Sequence, residues 1–347
     1  MELICIQSQE HPELPLAELK AVIECESIEC EMEKLTEGFV VLKNIHEDNI
    51  DNYYDILTRR LGYTHEVHEL IFKSDVNNLD EDIKDIEWSD YISKSFAVRV
   101  KKFHSQTDTV GMERKMGSLI LKYCDNIKVN LTKPDSLIRV VAFRDDLYVA
   151  VEKIKLNKKH FEESKPHKRP FFYPGSMNPK LARCMVNLSR VKSGDLLLDP
   201  FCGTGGILIE AGLIGCKLVG SDVYWKMQNG TSINLDYYGI TDYRTFHLDV
   251  RELKMYEKVA AVVTDPPYGI STSTGDVEGN DIFLEFLKVI YDNMRDDAYL
   301  CMASPHYVDL KPMVDEVGFE IIEQYRIKMH KSLTRIISVI RKKNFSI

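Results

Sequence analysis

Leu196-Leu-Leu-Asp-Pro-Phe-Cys-Gly-Thr-Gly-Gly206 is the stretch that decides the fold of the C-terminal half. The three leucines predict a short buried strand, a glycine-rich turn follows, and the largely apolar residues 207–211 predict the start of a helix. A strand, a glycine turn and a helix form the first crossover of a doubly wound α/β domain, where ligands bind at the carboxyl ends of the strands. Glycines let the backbone approach a ligand closely, and the N-terminus of the helix offers free N–H groups to an anionic group.

The spacing of the glycines narrows the class of cofactor. The turn reads Gly-x-Gly-Gly, whereas a dinucleotide pyrophosphate requires Gly-x-Gly-x-x-Gly. Asp199, which precedes the turn, suits a cofactor that carries positive charge. S-adenosylmethionine carries a sulfonium, an ammonium and a carboxylate, and it fits these demands better than NAD.

Acidic residues also end the next two predicted strands. Asp222 follows the run 217–221 and lies 23 residues after Asp199, close to the ~20-residue offset of a ribose-binding carboxylate in such folds. Asp249 ends the run 246–248, in a position suited to an adenine amino group. Each aspartate alone is explained equally well as the cap of a following helix. Four acids at four successive strand ends, the fourth being Asp265, indicate a binding site.

The fourth acid opens the motif Asp265-Pro266-Pro267-Tyr268, which follows the apolar run 259–263. A carboxylate at a strand end accepts hydrogen bonds from an amine on an aromatic ring. The two prolines lack N–H donors, so neighbouring carbonyl groups can face the same amine. Acceptors that hold the amine hydrogens localise its lone pair and aim it, while Tyr268 offers a flat face on which a base can stack. For the motif alone, a proline-terminated strand with a surface turn is the alternative.

These motifs together resemble the S-adenosylmethionine-dependent amino-methyltransferases, and more closely the archaeal tRNA (guanine-10-N2) methyltransferase family. The resemblance rests on Arg169-Pro-Phe-Phe-Tyr-Pro-Gly-Ser-Met177, on Asp199–Gly206 and on Thr264-Asp-Pro-Pro-Tyr-Gly269, and it extends over nearly the whole chain. It implies an N-terminal ferredoxin-like plus THUMP α/β module and a C-terminal Rossmann-like methyltransferase with a mostly parallel seven-stranded sheet. It also implies methylation, once or twice, of the exocyclic N2 amine of a guanine that flips out of the tRNA stack.

The resemblance assigns a role to each motif residue. Gly203, Thr204 and Gly205 would line the methionine end of the cofactor, Asp222 would bind the ribose, and Asp249 the adenine. The cofactor-binding residues expected are Asp199, Phe201, Cys202, Gly203, Thr204, Gly205, Asp222, Asp249 and Val250. The catalytic residues expected are Asp265, Pro266, Pro267 and Tyr268, of which Asp265 and Tyr268 would hold the guanine. Cys202 lies inside the glycine turn and is interpreted as lining the cofactor pocket, not as a nucleophile.

Three alternative functions stay open. A related family methylates a different tRNA guanine, at position 6, and usually carries Asn at the position of Asp265. A catalytically inactive tRNA-binding protein would keep the fold as a scaffold, against which the four intact acids argue. A DNA amino-methyltransferase is opposed by the absence of a sequence-reading domain and by the basic region of the chain.

Charge is distributed unevenly along this net acidic chain. Residues 1–93 carry 7 Lys and Arg against 23 Asp and Glu, residues 94–169 carry 18 against 9, and residues 170–347 carry 20 against 22. A solvated charged face is the ordinary explanation of such a block, but a basic block between two acidic regions, beside a base-modifying motif, favours phosphate contacts. The residues expected to contact RNA are Arg99, Lys101, Lys102, Arg114 and Lys115.

The basic block also has a readable pattern of elements. Residues 95–102 alternate like a half-buried strand, residues 109–123 predict a helix with Met112 and Met116 on its core face, and residues 138–151 predict a hairpin. This pattern resembles the THUMP domain. Further strands are predicted at 3–6, 38–42, 66–72, 127–131, 319–327 and 335–342, and further helices at 14–22 and 48–58.

The predicted organisation is an N-terminal ferredoxin-like domain at 1–72, a THUMP RNA-binding domain at 73–156, a linker at 157–169 and a methyltransferase domain at 170–347. The linker is inferred from its charged, proline-containing composition. The Arg169–Met177 stretch is interpreted either as a structural tether or as a lid over the cofactor or the target base.

Composition excludes several other classes of protein. No run of ~18 apolar residues occurs and the start of the chain lacks a basic signal-peptide region, so no membrane span is expected. The 8 cysteines form neither Cys-x-x-Cys nor zinc spacing, which predicts free thiols, a cytoplasmic location and no metal. The expected partner is tRNA, and the expected oligomeric state is a monomer.

Overall fold

The computed structural model of the protein describes residues 1–157, 159–268, 278–330 and 333–343. Its backbone divides into two compact units. The first unit comprises Met1–Pro12, Ile28–Thr58 and Thr64–Leu156, and the second comprises Glu13–Ser27, Arg59–Tyr63 and Asn157–Ile347.

The helices and strands follow one another in two groups along the chain. Residues 1–156 form β1 (Leu3–Gln7), α1 (Leu14–Cys25), β2 (Glu31–Thr36), β3 (Phe39–Lys43), α2 (Ile50–Arg60), β4 (Thr64–Asp75), α3 (Leu79–Asp82), β5 (Ser95–Phe103), α4 (Thr109–Tyr123), β6 (Lys128–Val129), β7 (Ser136–Phe143) and β8 (Asp146–Lys155). Later residues form α5 (Lys159–Glu163), α6 (Pro179–Leu188), β9 (Leu196–Asp199), α7 (Gly206–Leu213), β10 (Lys217–Asp222), α8 (Trp225–Tyr237), β11 (Tyr243–His247), β12 (Val259–Thr264), α9 (Glu278–Asn293), β13 (Met294–Pro305), α10 (Leu310–Val317), β14 (Phe319–His330) and β15 (Leu333–Lys342).

The first unit is built on an eight-stranded mixed sheet with the order β2-β3-β1-β4-β8-β7-β5-β6. Phe96 and Val98 of β5 pack in one cluster with Met112 and Met116 of α4. Both methionines are buried, with exposed fractions of 6% and 0%. The prediction that the methionine stripe belongs to the core is therefore confirmed.

The second unit is built on a seven-stranded sheet with the order β11-β10-β9-β12-β13-β15-β14. The five strands from β11 to β13 pair in parallel, whereas β15 pairs antiparallel with both β13 and β14. This confirms the predicted mostly parallel sheet. Because β15 runs the other way, its start lies at the edge where the parallel strands end, and Arg335 stands opposite Pro305, the last residue of β13.

Helix α1 joins the second unit through a buried polar network. The carboxylate of Glu18 accepts hydrogen bonds from the backbone N–H groups of Gly62 at 3.0 Å and Tyr63 at 2.7 Å. It also accepts one from the side-chain amide of Asn187 on α6, at 2.9 Å. Two short segments of the predicted 1–72 domain thus lie in the second unit, and the predicted domain boundaries themselves stay predictions.

Several regions differ from the expected secondary structure, and α3, α8, α9, α10 and β13 are absent from the elements predicted from the sequence. The charged run 157–169, predicted as a linker, contains α5 and a 3₁₀ turn at Pro166–Lys168. Strand β2 has no counterpart in the sequence prediction, because its residues are only partly buried or exposed and give no apolar alternation. None of the helices in the described part of the chain is long and apolar enough to cross a membrane, and all 8 cysteines are free thiols.

Candidate active site

A cavity of about 330 Å³ opens at the carboxyl ends of the parallel strands of the second unit. Small-molecule sites occupy ~300–1,000 Å³, so the cavity is of a size to hold a cofactor. Predicted site residues that line it are Asp199, Phe201, Cys202, Gly203, Thr204, Asp222, Asp265 and Pro267. Other lining residues include 173–177, Gly206, Ile207, Val223, Tyr224 and Met227. The predicted site residues outside this lining are Gly205, Asp249, Val250, Pro266 and Tyr268. Gly269 of the quoted motif lies outside the described residues.

The turn between β9 and α7 requires glycine at its last position. Gly205 has φ +79° and is the N-cap of α7. A Cβ atom at Gly205 would lie 3.0 Å from the Cγ2 atom of Thr231, so both the backbone and the available space favour glycine. Thr231 also donates its hydroxyl hydrogen to the carbonyl of Gly203 at 2.9 Å. Gly205 therefore acts on the cavity through the conformation of the turn.

The carboxylate of Asp222 is fixed at the cavity wall by two backbone donors. One oxygen accepts the N–H of Gly203 at 3.0 Å, and the other accepts the N–H of Tyr224 at 2.9 Å. Burial raises the pKa of Asp222, and these two hydrogen bonds oppose the rise. An oriented carboxylate at the end of β10 is what ribose hydroxyl groups require as an acceptor.

Asp199 is the most deeply buried acid of the cavity, with an exposed fraction of 1%. Its Oδ1 atom accepts hydrogen bonds from the hydroxyl of Thr264 at 2.7 Å and from the backbone N–H of Phe201 at 3.2 Å. Burial raises the pKa of Asp199 to about 7, because desolvation outweighs these two hydrogen bonds. This acid changes charge near neutral pH.

The carboxylate of Asp249 is hydrogen-bonded to Arg251 and does not line the cavity. Its carboxylate caps the 3₁₀ turn Val250–Glu252 by accepting the backbone N–H of Arg251 at 3.0 Å. The guanidinium of Arg251 also donates to both carboxylate oxygens, at 2.9 and 2.6 Å, and lowers the pKa of Asp249. Asp249 therefore acts as a cap in this structure, which is the alternative explanation that the sequence left open. Adenine binding by Asp249 and Val250 stays a prediction.

The motif after β12 forms a closed ring of three side chains. The hydroxyl of Tyr268 donates to Oδ1 of Asp265 at 2.7 Å. The Nη2 atom of Arg335 lies 3.1 Å from Oδ2 of Asp265, and its Nε atom donates to the hydroxyl oxygen of Tyr268 at 2.6 Å. Burial raises the pKa of Asp265, whereas the charge of Arg335 and the Tyr268 hydrogen bond lower it. Tyr268 is therefore engaged through its hydroxyl group, and its predicted use as a stacking face stays a prediction.

Arg335 is the site residue that the sequence analysis misses. The sequence motifs indicated acids at the ends of parallel strands, whereas Arg335 lies near the start of the antiparallel strand β15. A signal was present in the sequence, because a strand that reverses direction presents its first residues at the same edge of the sheet. An arginine near the start of that strand, immediately before the apolar residues Ile336 and Ile337, was the residue to test.

Part of the Arg169–Met177 stretch forms a wall of the cavity, from Tyr173 onwards. The buried amide of Asn234 accepts the N–H of Phe171 at 2.9 Å and donates to the carbonyl of Phe171 at 2.9 Å. It also donates to the carbonyl of Thr204 at 2.8 Å. Asn234 thus ties this stretch to the glycine turn, which supports both the tether and the lid interpretation.

The five basic residues predicted to contact RNA lie on different faces of the first sheet. Side chains alternate along a strand, and residues 96, 98 and 100 of β5 pack with α4. Lys102 therefore lies on the α4 side of the sheet, while Arg99 and Lys101 lie on the opposite face. Arg114 and Lys115 lie on α4 itself.

Three of these five residues are engaged within the protein. Arg99 donates to the carbonyl of Leu131 at 2.7 Å, Lys115 pairs with Asp80, and burial lowers the pKa of Lys101. The two that are exposed are Lys102 and Arg114. The structure does not bring the five together as one cluster, and their contact with RNA stays a prediction.

One group of possible metal ligands occurs in the described part of the chain, namely Glu66, His68 and Glu152, whose ligand atoms lie within 4.8 Å of one another. Arg139 lies 2.7 Å from Oε2 of Glu66, and the Nε2 atom of His68 lies 3.0 Å from the same oxygen. Burial would raise the pKa of Glu66, but His68 and Arg139 lower it to about 2. The group has the charge balance of an ion-pair network, and the expectation of no metal stays a prediction.

Comparison with known proteins gives each half of the chain a family. Residues 166–335 match the RMKL-like methyltransferase domain, and residues 73–152 match the THUMP domain. The chain is 47% identical to the tRNA (guanine(10)-N2)-dimethyltransferase of Methanothermobacter thermautotrophicus, over 99% of this chain and 100% of that protein. It is 37% identical to the protein of the same name from Methanocaldococcus jannaschii, over 96% of this chain and 97% of that protein. The crystal structure of TrmN from Thermus thermophilus shares the fold, with a TM-score of 0.57, 18% identity and coverage of 99% of this chain and 100% of that one.

Strand order, glycine turn and strand-end acids, together with the two domain matches, define a Rossmann-like methyltransferase joined to a THUMP domain. With a relative 47% identical over its whole length, the chain belongs to the tRNA (guanine(10)-N2)-dimethyltransferase family. The family resemblance stated from the sequence is confirmed.

Proposed function

We propose that this protein transfers methyl groups from S-adenosylmethionine to the N2 amine of guanine-10 in tRNA, forming first the monomethylated and then the dimethylated base. The observation that carries the proposal is the position of Asp265. It lies at the wall of the same cavity as Asp199, Asp222 and the glycine turn, so an amine acceptor and a cofactor site share one space.

The residues present fit S-adenosylmethionine. Asp222 offers an oriented carboxylate to the ribose, and the turn at Gly203 and Thr204 offers close backbone approach to the methionine end. Asp199 offers a buried acid whose charge would be favoured by a cationic ligand. When bound there, this cofactor supplies a methyl group activated by a sulfonium. Cofactor and site assignments are therefore part of the proposal.

Asp265 would hold and aim the amine. An ionised carboxylate has about four acceptor positions, and Tyr268 and Arg335 occupy two of them. The remaining positions can accept the hydrogens of the guanine amine, because Asp265 itself lines the cavity. On methyl transfer the amine nitrogen would bond to the methyl carbon as the bond between that carbon and the sulfonium sulfur breaks and leaves a neutral thioether, and the amine would give up one proton to Asp265 or to solvent. Rotation of the monomethylated amine would present its second hydrogen to the same acceptor for the second round.

The alternatives are less well supported. The guanine-6 family, as inferred from the sequence resemblance, usually carries Asn where this chain has Asp265. A tRNA-binding scaffold without activity has no use for three acids around a cavity of cofactor size. The domain boundaries at 72, 156 and 169, a monomeric state, a cytoplasmic location and tRNA binding by the first unit belong to the proposal as well.

A labelling experiment tests the function directly. Purified protein is incubated with methyl-labelled S-adenosylmethionine and unmodified tRNA transcripts, and the nucleosides are identified by mass spectrometry. We expect N2-methylguanosine and then N2,N2-dimethylguanosine, both lost when guanine-10 is replaced by adenine. Label that persists in that transcript and disappears on replacement of guanine-6 would overturn the assignment of the position.

A further inference from the structure

A buried cation stands next to the amine-binding end of the cavity. Arg335 is 7% exposed, and one guanidinium contacts both Asp265 and Tyr268. It does not itself line the cavity, so its action on a bound base would pass through those two side chains. The planar guanidinium group holds its N–H donors in a rigid fork, so it can donate to two acceptors at a fixed separation. A lysine ammonium is a compact charge without this fork.

We propose that Arg335 is a positioning residue that keeps Asp265 ionised and correctly oriented for methyl transfer. This rests on the proposed function and deepens it, since it concerns the same site. Arg335 has two effects that can be separated: its charge opposes protonation of Asp265, and its forked donors fix the directions in which the carboxylate oxygens point.

Ionisation matters because Asp265 is largely buried, with its side chain 20% exposed. Burial disfavours a charged carboxylate, and a protonated carboxyl group turns one acceptor position into a donor. A protonated Asp265 would lose an acceptor for the amine hydrogens and would have no capacity to take the proton that the amine releases. The positive charge beside Oδ2 offsets part of this cost, although burial still leaves the pKa of Asp265 raised.

The titratable and charged groups that face Asp265 lie on three segments of the described chain. Asp199 on β9 is a second acid close enough to interact with it, Tyr268 follows it on the same segment, and Arg335 faces it from β15. One step further out, the Nδ1 atom of His306 lies 3.3 Å from the backbone nitrogen of Thr334. Asp199 and His306 are present in every variant of Arg335, so a difference between variants isolates the arginine.

The test compares pH–rate profiles of methyl transfer to a tRNA transcript, between pH 6 and 9, at saturating cofactor and tRNA. The variants are R335Q, which keeps a hydrogen-bond donor without charge, and R335K, which keeps the charge without the fork. An opposite charge within ~4–6 Å shifts a carboxyl pKa by about 1–3 units, and each unit is about a tenfold change in the ionised fraction wherever the pH lies below the pKa. We expect the acid limb of the R335Q profile to lie about 1–3 pH units above that of the wild type, so that its rate falls towards pH 6 and recovers as the pH rises. R335K should be slower at every pH, with the flat profile of the wild type.

Arg341 provides a matched control on the same strand. It pairs with Glu320 at 2.7 Å at the surface, away from the cavity, and R341Q should match the wild-type profile. Calorimetry should give the same cofactor affinity for R335Q and wild type, because Arg335 is outside the cavity lining. If R335Q fails to fold, R335M fills the site without charge and carries the same test.

Two results would overturn the inference while the proposed function stands. The first is an R335Q or R335M profile parallel to that of an active wild type, and the second is an R335K profile that rises with pH as steeply as that of R335Q. A wild-type protein that transfers no methyl group to tRNA would instead refute the proposed function, and this inference with it.

Discussion

Thr264 donates its hydroxyl hydrogen to Oδ1 of Asp199 at 2.7 Å, which links the last residues of the adjacent strands β12 and β9. Both side chains are buried, with exposed fractions of 0% and 1%. The hydrogen bond orients the acid that stands at the start of the glycine turn. Because burial raises the pKa of Asp199 to about 7, this pair gives the site an acid that ionises within the physiological range.

The first prediction is that cofactor binding releases a proton. The free protein holds a proton on Asp199 below pH 7, and a cationic cofactor favours the ionised form, so affinity should rise by up to about tenfold per pH unit below pH 7 and level off above it. Calorimetry at pH 6.5 in two buffers of different ionisation enthalpy measures the proton directly. Asp199→Asn should bind more weakly and release no proton. Equal heats in the two buffers for the wild type would contradict the assignment.

The second prediction concerns the ribose-binding acid. Asp222→Ala removes an acceptor fixed by two backbone N–H groups, and cofactor affinity should fall by about 1.5–3 kcal/mol, the value of a hydrogen bond to a charged group. Asp309→Ala is the matched comparison, since the carboxylate of Asp309 also accepts a backbone N–H, from Lys311, but Asp309 lies outside the cavity lining. We expect a much smaller change for it. Unchanged affinity in a folded Asp222→Ala protein would remove this residue from the site.

The third prediction concerns the catalytic carboxylate. Asp265→Ala should reduce methyl transfer at least ~100-fold, because the amine loses its acceptor, with little effect on cofactor or tRNA binding. Asp265→Asn should retain part of the activity, since its amide oxygen still accepts one hydrogen bond. Single-turnover rates on an unmodified transcript separate chemistry from binding. A near-wild-type rate for Asp265→Ala would reduce this residue to a structural role.

The fourth prediction concerns tRNA binding by the first unit. Neutralising a side chain that contacts a phosphate lowers the slope of log K against log salt by about 1. Lys102→Gln and Arg114→Gln should each produce this change, because both side chains are exposed. Lys115→Gln should change the slope less, since Lys115 already pairs with Asp80. Binding titrations at several salt concentrations measure the slopes, and an unchanged slope for all three variants would leave the basic block as a solvated face.

The fifth prediction concerns the wall of the cavity. Asn234→Ala removes three hydrogen bonds to Phe171 and Thr204 and leaves their backbone groups without these partners. The free energy of unfolding should fall by about 1–3 kcal/mol, and cofactor affinity should fall as well. Asn293 also makes three hydrogen bonds, to Met255, Leu253 and Val289, but away from the cavity. Asn293→Ala should therefore lower the unfolding temperature without lowering cofactor affinity.

Local patterns are enough to predict which strand-end residues meet at the cavity. The glycine turn and the acids at 199, 222 and 265 lie together because parallel strands end at one edge, and each is recognisable within a few residues of sequence. Asp249 meets the same description, yet Arg251, two residues on, holds its carboxylate. The sequence shows that Arg251 lies close to Asp249 along the chain, but it does not show that the two side chains form hydrogen bonds.

What sequence reasoning missed depends on contacts between distant segments. Arg335 reaches Asp265 only because β15 runs antiparallel, and nothing in the motif itself requires an arginine. The basic residues of β5 were treated as one cluster although the two-residue period of a strand separates Lys101 from Lys102. Helix α1 was assigned to the first domain on sequence proximity, whereas its partners, such as Asn187, lie far along the chain.

The place of α1 bears on how such a protein can arise by exchange of gene segments. Leu14, Ala17 and Ala21 share a core with Leu181 of α6, and the peptide groups of Gly62 and Tyr63 are held by Glu18. A recombination event between the codons for residues 156 and 157 would deliver a methyltransferase that lacks part of its own interior. The two halves of this gene are therefore expected to be inherited together, and a THUMP partner cannot be exchanged without carrying residues 13–27 and 59–63 with it.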